Sequence, residues 1–193
     1  MLQLNTRDKP IYSTPDPAPD NGPHANRWNP FEKEGDLKIM NTALEYLAKN
    51  ATGIKSCDGY FRNLAKEAGH KPRSLTEMIT GEDRLFISYD PTGLEYGRTS
   101  IIHITVGRNS LRGGYKMVAA TIIHELAHIN GAASELEAEN ALLYCGLRHY
   151  WRKAAASPDP SQPTKSAPPT KSAPPTKSAP PTKSALPTVA PLR

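Results

Sequence analysis

His124, Glu125 and His128 stand together in the run Thr121-Ile122-Ile123-His124-Glu125-Leu126-Ala127-His128-Ile129, and their types and spacing point to metal chemistry. On a helix, residues four apart share a face, so two imidazoles spaced this way can converge on one ion. Glu125 lies about 100° round the helix, beside the open side of such an ion, where a carboxylate can take a proton from water. Zinc accepts imidazole nitrogens and carboxylate oxygens in a tetrahedral set and, when catalytic, keeps one position for water. Two histidines do not complete that set, so a third ligand must follow. Val118, Ala119, Ala120, Ile122, Ile123, Leu126, Ala127 and Ile129 surround the three polar residues, which predicts a largely buried helix. Polar groups buried there would be costly without a partner.

Asn130-Gly131 marks the end of that helix, since glycine suits the left-handed residue that closes one. Ser134-Glu135-Leu136-Glu137 then reads as a capping box, with Ser134 at the N-cap and Glu137 at the third helical position. A second helix is expected through Leu136, Ala138, Ala141, Leu142, Leu143, Cys145 and Leu147 toward Trp151. It carries Glu135 and Glu139 on one face, and a short turn can fold that face back over the histidines. Glu139, one turn inside the helix where packing can hold it, is favoured as third ligand. Glu135 is the alternative, because the helix dipole alone favours a carboxylate in the first turn. The glutamate that is not a ligand would orient His124 or His128.

His124-Glu125-Leu126-Ala127-His128 followed by a helix glutamate resembles the zincin metallopeptidases, in the glutamate-liganded branch called gluzincins. Gly131 occupies the glycine position of the metzincin pattern HExxHxxGxxH, but Ser134 stands where the third histidine belongs. The short gap, and Ala138-Glu139-Asn140-Ala141-Leu142 leading to Cys145-Gly146-Leu147, resemble small metallopeptidase domains of bacterial polymorphic toxins and secreted effectors. The resemblance spans about thirty residues. It implies Zn2+ held by His124, His128 and a glutamate, Glu125 as general base and later proton donor to the leaving amine, and metal-assisted hydrolysis of a peptide bond. A donor for the oxyanion is also wanted. Tyr144, His149 and Tyr150 lie on the second helix, and helical position does not choose among them.

Elements upstream must position this helix. Ser100–Val106, a β-branched run bounded by Gly97 and Gly107, and Arg84–Tyr89, before Asp90-Pro91, are expected strands. In zincins the strand just before the HExxH helix often forms the edge along which a peptide substrate is laid. Gly107–Gly114 would then be a rim loop, and His103 in mid-strand reads as packed or solvent-facing rather than as a ligand. Leu37, Met40, Leu44, Leu47 and Ala48, then Cys57–Ala68 with Tyr60, Phe61 and Leu64, recur at helical spacing. The expected fold is α+β, a small zincin-like single domain over residues 28–151, ordered helix, helix, strand, strand, helix, helix.

Residues 1–27 are Pro-rich and expected to be disordered. Residues 152–193 repeat Pro-Thr-Lys-Ser-Ala-Pro from Pro163, Pro169 and Pro175, with a variant from Pro181, and are expected to form an extended basic spacer. Of the net charge of +5, the segment from Arg152 onward, with seven Lys or Arg and one acid, carries +6; residues 1–151, with 17 basic and 18 acidic, carry −1. The basic pI therefore belongs to the tail. No basic patch with aromatics marks the folded part as a specific nucleic-acid binder, while the tail can touch acidic partners or surfaces in a salt-dependent way. A protein or peptide substrate is the expected partner.

Met1–Asp8 lacks the apolar core of a secretory signal, and the longest apolar run, Met117–Ile123, is too short to span a bilayer. The expectation is a soluble protein, cytoplasmic or secreted without a cleavable signal peptide. Cys57 and Cys145 are either free buried thiols or one disulfide. Two rivals to a protein-cleaving enzyme remain at this stage. One is a non-catalytic, zinc-stabilised adaptor recruiting partners through its Pro-rich tail, in which Glu125 would have no task. The other is a cell-wall peptide amidase or endopeptidase, since the same metal centre attacks either amide.

Overall fold

The computed structural model describes residues 2–9, 29–82, 84–91, 97–100 and 102–155. In chain order the elements are β1 (Leu2–Leu4), α1 (Glu34–Asn50), α2 (Lys55–Glu67), α3 (Leu75–Thr80), β2 (Leu85–Asp90), β3 (Gly97–Ser100), β4 (His103–Gly107), α4 (Arg108–Arg112), α5 (Tyr115–Ile129), α6 (Glu135–Tyr144) and α7 (Arg148–Ala155). The architecture is α+β. The sheet has the order β1-β2-β4-β3, with β1, β2 and β4 parallel and β3 antiparallel to β4.

α5 is the centre of the domain. Every residue from Met117 to Ala127 is buried, as a helix apolar on all sides must be. It packs against α1, α6, α7 and α4 and against strands β3 and β4. α1 contributes Met40 and Leu47 to the core as expected, with Ala43 in place of Ala48, which is exposed, and α2 contributes Cys57, Phe61, Leu64 and Ala65. β2 falls where the Arg84–Tyr89 run predicts it.

Five expectations are corrected. The first concerns the chain start. Residues 1–27 were expected to be disordered, yet Leu2–Leu4 pairs in parallel with Leu85–Ile87, and the Asn5 amide donates to the Ile87 carbonyl at 2.8 Å. Leu2 and Leu4 lie on one side of this strand and pack on the core. Three residues are too short for an alternation to stand out in sequence. Residues 10–28 and the repeat tail from residue 156 lie outside the described residues, and α7 carries the domain past the expected limit at 151 to Ala155.

The second correction concerns the Ser100–Val106 run, which is not one strand but the return of a hairpin, β3 pairing with β4 in the register Gly97↔Val106 to Ser100↔His103. The third follows from it. β4, the strand preceding the helix that carries His124 and His128, is interior, and the edge on that side of the sheet belongs to β3. The fourth is that Gly107–Gly114 is not a rim loop; it holds α4, with Ser110 and Leu111 buried. The fifth is that the helix expected to run from Glu135 to Trp151 is broken in two. Cys145 ends α6, Gly146 takes φ +76°, and the Leu147 amide donates to the Leu142 carbonyl at 2.8 Å, while that of Gly146 donates to Leu143. This is the Schellman arrangement, and it frees α7 to turn back onto α5.

α3 lies outside the expected elements, and Ser74 and Glu77 form a full capping box at its start. His103 is buried, packed against the Phe86 ring with centroids 5.2 Å apart. A disulfide joins Cys57 on α2 to Cys145 at the end of α6, which settles the pairing that the sequence left open. Among the described residues, no helix is long and apolar enough to cross a membrane.

Candidate metal centre

His124 and His128 lie one turn apart on α5, their ring centroids 5.0 Å apart and their planes at 72°. α5 ends directly beyond them. Asn130 caps it, Gly131 takes φ +112°, and the Ala132 amide donates to Ala127 while Gly131 donates to His128, the same Schellman closure that ends α6. The Asn130 side-chain amide donates to the Phe61 and Arg73 carbonyls, at 2.6 and 3.1 Å, and ties this end of α5 to α2 and its following loop.

α6 starts at once with the expected capping box. Ser134 Oγ accepts from the Glu137 amide, and the Glu137 carboxylate accepts from the amides of Ser134 and Ala133. With Glu137 committed to the cap, Glu135 at the tip of the helix faces the histidines. Its Oε2 is 3.0 Å from His124 Nε2 and its Oε1 is 3.5 Å from His128 Nε2. One ligand atom from each of the three residues lies within 4.8 Å of the others. Ligands about 2.1 Å from a tetrahedral ion stand roughly 3.4 Å apart, so these carboxylate-to-imidazole separations suit a single ion. The donor set fits a zinc-type cation, and its chemistry alone does not distinguish zinc from other divalent metals.

Glu139, the favoured ligand from sequence, is not part of this group. It sits one turn farther along α6, half-buried, where its charge acts on His124 only as a minor influence. It is the alternative, Glu135, that lies against the histidines, because the turn between α5 and α6 is so tight that the tip of α6 meets them.

Burial disfavours the charged form of His124, and a hydrogen bond fixes the tautomer of His128. His128 Nδ1 lies 3.0 Å from the Ala132 carbonyl, which can only accept, so Nδ1 carries the proton and Nε2 presents its lone pair to the site. His124 is held below the ordinary imidazole pKa of 6.5, chiefly because burial penalises its charged form; the Glu135 carboxylate opposes this and His128 reinforces it. The unfolded chain therefore takes up this proton at higher pH than the folded, metal-free protein does. Stability of the metal-free protein should fall as pH drops below about 6.5. Thermal melts of metal-stripped protein across that range check this, and His124→Gln should flatten the dependence.

Glu125 is buried, 4% exposed, on the side of α5 that meets β3. Gly97 makes that approach possible. A Cβ on Gly97 would stand 2.6 Å from Thr121 Cγ2, 2.8 Å from the Thr105 carbonyl oxygen and 3.0 Å from Glu125 Oε1. In the sequence Gly97 marks a strand boundary, and a strand glycine also signals a close backbone approach. Gly97→Ala should destabilise the protein by about 1–3 kcal/mol through overpacking and displace the Glu125 carboxylate. Denaturant unfolding checks the first effect, and the structure of the variant checks the second.

Of the aromatic candidates on the expected second helix, Tyr144 stacks on Tyr60 at 4.6 Å, and Tyr150 lies against His149 and under the Lys116 ammonium. Trp151, to which sequence assigned no role, stacks on His124 with centroids 4.6 Å apart and planes at 14°. No sequence signal links residues 124 and 151, since their contact depends on the break at Gly146. No protein-family model, no curated protein and no solved structure matches this chain.

Proposed function

We propose that this chain is a zinc-dependent hydrolase of peptide bonds, with His124, His128 and Glu135 as metal ligands and Glu125 as general base. The observation that carries the reading is the convergence of His124 Nε2, His128 Nε2 and both Glu135 oxygens on one point at the α5–α6 turn. A zinc ion held there would polarise a scissile carbonyl and make water acidic enough to attack at neutral pH. Glu125 takes the proton from the attacking water and returns it to the departing amine. The Ala132 carbonyl keeps His128 in its ligating tautomer. The carboxylate of Glu135 is 80% exposed, so the site opens to solvent on the side from which a substrate would come.

A group of three protein ligands among the described residues, with an exposed carboxylate, favours an enzyme over the adaptor, because structural zinc sites are usually closed by four protein ligands. The buried Cys57–Cys145 disulfide favours work outside a reducing cytoplasm, in keeping with a secreted effector or toxin, or with an enzyme of cell-wall peptides.

Metal content by plasma mass spectrometry tests the site. About one zinc per chain is expected, lost in Glu135→Ala and retained in Glu139→Ala. A native chain that takes up no metal when zinc is supplied would overturn the reading.

A further inference from the structure

The two histidines of the proposed centre are held by different means. His128 is fixed by the hydrogen bond from its Nδ1 to the Ala132 carbonyl. His124 has no such bond, since its buried Nδ1 has no hydrogen-bond partner among the described residues and its Nε2 faces Glu135. That Nε2 meets an exposed side-chain carboxylate rather than a backbone carbonyl, so the His124 ring is held less firmly about χ2, which is a broad torsion. What lies against the flat face of His124 is the indole of Trp151, nearly parallel at 14° and with centroids 4.6 Å apart. The edge of the ring meets His128.

We propose that Trp151 is a positioning residue for this site, setting the plane of the His124 imidazole by stacking where a hydrogen bond does so for His128. The stack requires a flat side chain at residue 151, and it requires α7 to fold back onto α5, which the Gly146 turn achieves. α7 is thereby part of the centre although it supplies no ligand. Metal-site partners that orient a ligand typically change metal affinity by 10–100-fold when removed, and Trp151 is assigned to that class. The assignment rests on His124 being a metal ligand, so its test is read both without and with metal.

The variants are Trp151→Phe, which keeps a flat ring, and Trp151→Leu, which keeps apolar bulk without one, each in the full chain and checked by circular dichroism for intact helices. In metal-free protein, the His124 ring protons should show a ring-current shift and a single set of nuclear Overhauser contacts to His128 and Glu135. Trp151→Leu should lose that single set and Trp151→Phe should keep it. On titration with cobalt(II), Trp151→Leu should bind about tenfold more weakly, with displaced visible absorption bands, while Trp151→Phe stays close to the native protein. A Leu variant that keeps the native ring contacts overturns the assignment, and so does a Phe variant as impaired as the Leu variant. If the native protein takes up no cobalt, the metal reading fails by itself, and the ring contacts in metal-free protein still decide whether Trp151 orients His124.

Discussion

Glu125→Gln should reduce peptide hydrolysis by about 10²–10⁴-fold while leaving zinc content and thermal stability near those of the native protein. Glutamine matches the shape of the buried carboxylate and can still hydrogen-bond, but it cannot accept a proton from water. Glu125 is outside the group formed by His124, His128 and Glu135, so losing its charge should spare the metal. The combination separates the hydrolase readings of the chain from the adaptor. A hydrolase loses turnover and keeps its ion, whether its substrate is a protein or a cell-wall peptide. An adaptor loses nothing. Cleavage assays on peptide and cell-wall substrates, run beside metal analysis, make the comparison, and retention of a genuine zinc-dependent activity in Glu125→Gln would remove this residue from the mechanism.

Breaking the Cys57–Cys145 disulfide should lower stability by about 4–5 kcal/mol, the loop-closure expectation for partners 88 residues apart. For a domain of this size that corresponds to a fall in Tm on the order of 15 °C. The bridge ties α2 to the C-terminal end of α6, the helix whose other end presents Glu135 to the histidines. It also lies just before the Gly146 turn that sends α7 back toward His124. Metal affinity should therefore fall along with stability. Melting curves of the native protein with and without reductant, beside the Cys57→Ala/Cys145→Ala double variant, measure the effect. Coincident curves under oxidising and reducing conditions would show that the bridge contributes nothing.

Much of the α-helical framework was legible because its signals are local. The buried faces of α1 and α2 follow from apolar residues at helical spacing. The end of α5 at Asn130-Gly131 and the start of α6 at Ser134 follow from capping chemistry contained within a few residues. The same glycine logic applied to Gly146 would have divided α6 from α7, but the continuing apolar pattern through Leu147 hid the break. The hairpin of β3 and β4 was hidden similarly, since the run from Ser100 to Val106 is β-branched with little punctuation. β1 gave no local signal, because a three-residue strand is defined by its partner, here β2.

The sequence by itself determined that His124 and His128 share one helical face with Glu125 beside them, because the pitch of a buried helix dictates it. It also determined that a glutamate-bearing helix follows at once, because Gly131 and Ser134 leave no room for anything else. Only the tertiary structure decided that Glu135 rather than Glu139 meets the histidines, that Cys57 pairs with Cys145, that Gly97 brings β3 against Glu125, and that Trp151 covers His124. Each of those contacts depends on the angle at which one element returns upon another, and that angle is set by packing across the whole core rather than by neighbouring residues.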